Sequence, residues 1–119
     1  MEKQKDLRQR TKDFALGIVQ LYSGLPKTAE AQVIGNQVLR SGTSVGAHYR
    51  EGCRAKSNAD FISKLEGGLQ ELEETCYWLE LLVSAKIAST DRVQPLLDET
   101  HELTAILVTI VKRTKLRAK

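Results

Sequence analysis

Aromatic residues make up only 5% of this 119-residue chain, which holds two prolines and two cysteines. Each scarcity excludes something. Cys53 and Cys76 show no C-x-x-C spacing, which sets aside zinc ribbons and dithiol redox motifs. A reducing cytosol would keep both as thiols, and they read as small packing residues. No apolar run reaches the length of a membrane span, and the opening MEKQKDLRQRTK has no apolar signal core. A soluble, cytoplasmic protein without membrane contact is therefore expected.

Leucine, alanine, glutamate, lysine and glutamine dominate instead, and these lose little on entering a helix. One all-α domain over residues 1–119 is expected, large enough to bury a core without metal or disulfide. A first helix spans about Lys5 to Ser23, with Leu7, Phe14, Ile18, Leu21 and Leu25 as its apolar stripe, and Gly24 and Pro26 end it. Thr28 caps a second helix that reaches about Arg54. Within it Ile34, Val38, Ser41, Val45, His48 and Gly52 recur at alternating spacings of four and three. Gly35, Leu39, Gly42, Gly46, Tyr49 and Cys53 run beside them at the same spacings. The phase holds across Gly42 and Gly46, so a single glycine-rich helix, kinked there, is preferred to two helices broken at SGTS. Each interior glycine costs about 1 kcal/mol against alanine, a loss that close packing has to recover.

Ser57 and Asp60 open a third helix whose seam is Phe61, Leu65, Gly68, Leu72, Thr75, Leu79 and Leu82. A second stripe, Ile62, Leu69, Cys76 and Val83, gives this helix more apolar girth than its own bundle needs. Thr90 or Asp91 starts a fourth helix with the seam Val93, Leu97, Thr100, Leu103, Leu107, Ile110 and Thr114, beyond which the basic tail 112–119 should fray. Short connections then imply an antiparallel, up-down-up-down four-helix bundle.

The net charge of +3 conceals an asymmetry. Lys3, Lys5, Arg8, Arg10 and Lys12 crowd the start of the chain, and Lys112, Arg113, Lys115, Arg117 and Lys119 crowd its end. With Glu2, Asp6 and Asp13 the two ends carry +7, whereas residues 14–110 carry −4. Antiparallel topology brings both ends to one pole, a field suited to a phosphate backbone. The plainer reading is a pair of solubilising tails.

Two motifs invite chemistry. Residues 42–46, GTSVG, spell the G-x-S-x-G of a nucleophile elbow, with Asp98 and His101 following in order. That elbow needs a strand leading into a strained turn, and a helix offers Ser44 neither. His48 with Glu51, and Asp98 with His101, sit at the i, i+3 spacing of metal-ligand pairs, and Glu71 and Glu74 could add carboxylates. The order is reversed in one pair and an aspartate replaces glutamate in the other. His48, Arg50, Glu51, Glu71 and Glu74 read better as a structural polar network between the second and third helices, with no metal or cofactor and no catalytic residue.

The stretch SGTSVGAHYREGCRAKSNADFISKLEGGLQELEETCYWLELL resembles the bacterial 23S ribosomal RNA intervening-sequence proteins. That family shares its bundle fold with the accessory variability proteins of diversity-generating retroelements. The pattern falls on Gln37, Arg40 and Ser41, on Ser44, on Glu51 and Gly52, on Phe61, and on Glu71, Glu74 and Thr75. His48 departs from it, standing where the family usually has asparagine. The resemblance implies a homo-oligomer, commonly a ring-like pentamer, without enzymatic activity. It also implies nucleic acid as a partner, established for the retroelement branch and suggested for this one. Two function classes follow: a self-assembling bundle that binds RNA or DNA backbone through its basic termini, or an adaptor oligomer whose partner is a protein.

Overall fold

A computed structural model of the chain describes residues 2–118, with side chains from Leu7 onward. Four helices account for nearly all of it: α1 (Glu2–Ser23), α2 (Ala29–Cys53), α3 (Asn58–Ser84) and α4 (Thr90–Ala118). Local chemistry fixes their starts. The Thr28 hydroxyl accepts from the Ala31 amide, and the Ser57 hydroxyl accepts from the Asp60 amide, each satisfying one orphan donor of a first turn. α4 starts at Thr90, one of the two starts expected, and its capping oxygen is that of Ser89, which accepts from the Arg92 amide.

The helices form an elongated bundle of 50 × 22 × 19 Å. α2 packs on α1 and α3, and α4 on α3 and α1, leaving α1 diagonal to α3. Neighbours run in opposite directions: Gly35, Gly42 and Gly46 of α2 meet Tyr22 and Leu25, then Ile18, then Thr11. Across the α2–α3 seam Gly52 meets Leu65, His48 lies over Gly67, and Ser41 bonds Thr75.

The core is the predicted set with shifts at its edges. Leu7, Phe14, Ile18, Leu21 and Leu25 are buried, as are Val38, Val45, Tyr49, Leu65, Leu72, Leu79, Leu82, Val93, Leu103 and Leu107. Val111 takes the buried position assigned to Ile110, which is only partly covered. α2 is unbroken through Gly42 and Gly46. A Cβ on Gly42 would stand 2.7 Å from Ile18 Cγ1, so the missing side chain lets α1 and α2 approach closely. The expected fraying of 112–119 is also replaced: α4 continues to Ala118, with Thr114 buried. Lys115 and Arg117 in its last turn complement the negative end of the helix dipole.

Candidate nucleic-acid interface

The helix directions decide which cations share an end. Thr11 beside Gly46 puts the start of α1 against the end of α2, and Lys115 paired with Glu66 at 3.2 Å puts the end of α4 against the start of α3. Segments 2–13, 46–66 and 111–118 therefore share one pole. They hold thirteen basic and six acidic residues, against four basic and nine acidic in the rest of the described chain.

The structure divides the predicted cations. Arg8, Lys12, Lys112, Arg113 and Arg117 are exposed and have no carboxylate partner among the described residues. Arg10 is occupied: its guanidinium donates to Glu99 at 2.6 and 3.0 Å and to Glu102 at 3.1 Å. Its pKa is raised above the ordinary arginine value, chiefly by the Glu99 hydrogen bond. It ties α1 to α4 across the seam. Lys115 is likewise held by Glu66. The side chains of Lys3, Lys5 and Lys119 lie outside the described residues.

Sequence reasoning missed the α2–α3 turn. Arg50, Arg54 and Lys56 are exposed there without a carboxylate partner among the described residues, and Lys64 is paired with Glu51 at 3.5 Å. Lys56 lines a shallow depression of about 330 Å³ with Gly52, Cys53, Ala55, Ser57, Asn58 and Phe61. The signal was present in the topology, because an antiparallel second turn falls at the same end as both termini. Eight free cations thus surround the pole: Arg8, Lys12, Arg50, Arg54, Lys56, Lys112, Arg113 and Arg117.

The polar network has a different centre from the one expected. Arg40 donates to Glu71 at 3.3 and 3.4 Å and to Glu74, and Trp78 Nε1 donates to Glu74 at 3.4 Å. His48 Nε2 stands 3.8 Å from Glu71, while its Nδ1 is buried without a hydrogen-bond partner. Glu51 belongs to Lys64, and Arg50 points to solvent outside the network. Half-exposed Arg40 and Glu74 make this a register-fixing contact worth about 1 kcal/mol or less.

The geometry of the catalytic motifs is helical. Residues 42–46 lie inside α2, and the Ser44 hydroxyl donates to the Arg40 carbonyl at 2.7 Å. No group of three His, Cys, Asp or Glu side chains among the described residues is placed to hold a metal ion. Cys76 Sγ lies 3.6 Å from His101 Nε2, but burial and the nearby Glu80 and Glu73 push the thiol pKa up, the reverse of nucleophile activation. No described helix is long and apolar enough to cross a membrane.

Comparison with known proteins places these features in a lineage. No curated protein matches the chain. A solved structure from Bacteroides thetaiotaomicron, of a protein with unknown function from the S23 ribosomal protein family, superposes with a TM-score of 0.84. It is 39% identical, and the match covers 89% of this chain and 98% of that one. The profile of the 23S rRNA-intervening sequence proteins matches residues 3–109. The chain belongs to the 23S rRNA-intervening sequence protein family.

Proposed function

We propose that the chain is a non-enzymatic, self-assembling four-helix bundle that binds the phosphate backbone of RNA or DNA through its basic pole. The observation that supports this reading is the gathering of eight unpaired, exposed cations at one end of a bundle whose remainder is acidic. Such a surface gains affinity by releasing the counterions condensed on a polyanion, so binding weakens steeply with salt and carries little sequence preference. The exposed aromatic Tyr77 lies in the middle of α3 among carboxylates, so base stacking has no part in it.

In this reading the protein works in the cytoplasm as a homo-oligomer, and a pentamer is the size the family resemblance implies. Parallel alignment of subunits would sum the poles into one basic rim. Neither metal nor cofactor has a role. The test is retention on immobilised double-stranded RNA and DNA at about 50 mM salt. Substituting glutamine for Lys112, Arg113 and Arg117 should abolish retention while leaving helicity intact. Unchanged retention would reject the assignment of the pole.

A protein-binding adaptor is the second reading. It is favoured by a groove of about 380 Å³ between α3 and α4, with Leu69, Leu72, Cys76, Thr100, Thr104 and Val108 along it. A partner that stays bound after nuclease treatment would support it.

A further inference from the structure

α3 carries interlocked seven-residue repeats that the bundle core does not use up. Leu65, Leu72 and Leu79 are fully buried in the core. Ile62, Leu69, Cys76 and Val83 recur beside them at the same spacing and are only partly covered. Glu66, Glu73 and Glu80 follow the first three of these by four residues each, and all three are exposed. In coiled-coil notation α3 therefore has an apolar a row, a buried d row and a glutamate e row. Residues of an e row pair with cations on a neighbouring helix, and those pairs select the neighbour.

Within the bundle this row is satisfied only at its first member. Lys115 of α4 lies 3.2 Å from Glu66. Val108 and His101 stand one and two heptads before Lys115, so α4 offers no lysine or arginine at the next two steps. Glu73 and Glu80 have no ion-pair partner among the described residues, and Glu80 accepts only from the Cys76 thiol, at 3.7 Å. By contrast, Glu71 and Glu74 are held by Arg40, and Glu99 and Glu102 by Arg10. The two free carboxylates thus flank the apolar α3–α4 groove of about 380 Å³, where Leu69 and Cys76 face Thr104 and Val108.

We propose that this groove seats a basic amphipathic helix of a partner protein, its apolar side chains on the a row and its lysines or arginines on Glu73 and Glu80. The walls of the groove are helices whose backbone groups are already bonded, so no sheet edge is offered and a helix is the shape that fits. Cations one heptad apart on such a helix lie about 10.5 Å apart, the same step that separates Glu73 from Glu80. The carboxylates repel a phosphate backbone and leave nucleic acid to the basic pole. No described helix of this chain is such an occupant. Its exposed large apolar residues are Leu16 with Val19 on α1, and Val33, Tyr77 and Leu116 singly, so none forms a stripe over successive heptads. The proposal rests on the adaptor reading above and gives the partner its chemistry.

Alkylation of Cys76 tests it, because that sulfur lines the groove. The protein carries Cys53→Ser, which leaves Cys76 as its only thiol. The probe is a synthetic three-heptad peptide with leucine at a and d and lysine at e and g. Iodoacetamide should alkylate Cys76 several-fold more slowly with this peptide than without it. A peptide with glutamate in place of lysine should give no protection. Glu73→Lys/Glu80→Lys, at exposed positions and checked for helicity by circular dichroism, should reverse that preference. Equal protection by both peptides, or none by either, would overturn the proposal. So would protection that grows with the protein's own concentration, which would put a second copy in the groove, or protection by duplex RNA. A nuclease-resistant partner that leaves Cys76 freely alkylated would keep the adaptor reading and overturn the groove as its seat.

Discussion

The Thr75 hydroxyl of α3 is hydrogen-bonded to the Ser41 hydroxyl of α2 at 2.8 Å, and both side chains are fully buried. Thr75 Oγ1 also lies 2.7 Å from the Glu71 carbonyl. This is the polar contact at the centre of the α2–α3 seam, and removing one half leaves the other only a carbonyl of its own helix, Glu71 for Thr75 and Val38 for Ser41. Thr75→Val should cost about 1–2 kcal/mol, whereas Thr75→Val with Ser41→Ala should cost less than the two single changes added together. Urea unfolding of the four proteins of the cycle checks this.

Two glycines predict opposite outcomes. A methyl group on Gly42 would meet Ile18 Cγ1 at 2.7 Å and Cγ2 at 3.0 Å, atoms held close to the α1 backbone. Gly42→Ala should therefore destabilise by about 1–2 kcal/mol, the overpacking outweighing the helix gain. On Gly17 the methyl would meet only Leu96 Cδ2, at 2.9 Å, the far end of a side chain that can turn away. Gly17→Ala should be neutral or stabilise by up to about 1 kcal/mol. Denaturation midpoints at unchanged m-value separate the two.

Lys86 follows α3 with φ of 60°, and the Ile87 amide donates back to the Leu82 carbonyl while the Lys86 amide donates to that of Val83. That is the left-handed helix end normally given to glycine, occupied here by a residue with a Cβ. Lys86→Gly should raise stability by about 0.5–1 kcal/mol, read as a higher melting temperature.

Much of this was legible in the order of residues. Thr28 and Ser57 announced their helices, and the four-three spacing carried α2 through Gly42 and Gly46 because packing against Ile18 and Thr11 recovers the glycine cost. The seam of α4 drifted because a fixed seven-residue repeat falls behind a helix of 3.6 residues per turn. Val111 therefore faces inward where Ile110 was expected. The site was less legible. That Arg10 is tied to Glu99 depends on residues 89 apart, and no local pattern distinguishes it from the free Arg8. The left-handed Lys86 gave no signal either, since no glycine marks that turn.

Alkaline pH should destabilise the fold. Burial raises the pKa of the Tyr49 phenol, helped by a hydrogen bond with Cys53, and burial with Glu80 and Glu73 raises that of Cys76. Both groups keep their protons longer folded than unfolded, so stability is full below the unfolded pKa values and is lost as pH climbs past them. The decline should begin near the ordinary thiol value of about 8.5 and steepen toward the phenol range near 10. Cys76→Ala should remove its first part, measured as melting temperature against pH.

The slope of log affinity for duplex RNA against log salt concentration tests the basic pole most directly. The unaltered protein should give a steep negative slope, and Arg54→Gln/Lys56→Gln at the α2–α3 turn should flatten it by about 0.7–0.9 for each lost phosphate contact. A slope near zero, or one that those two substitutions leave unchanged, would contradict the account.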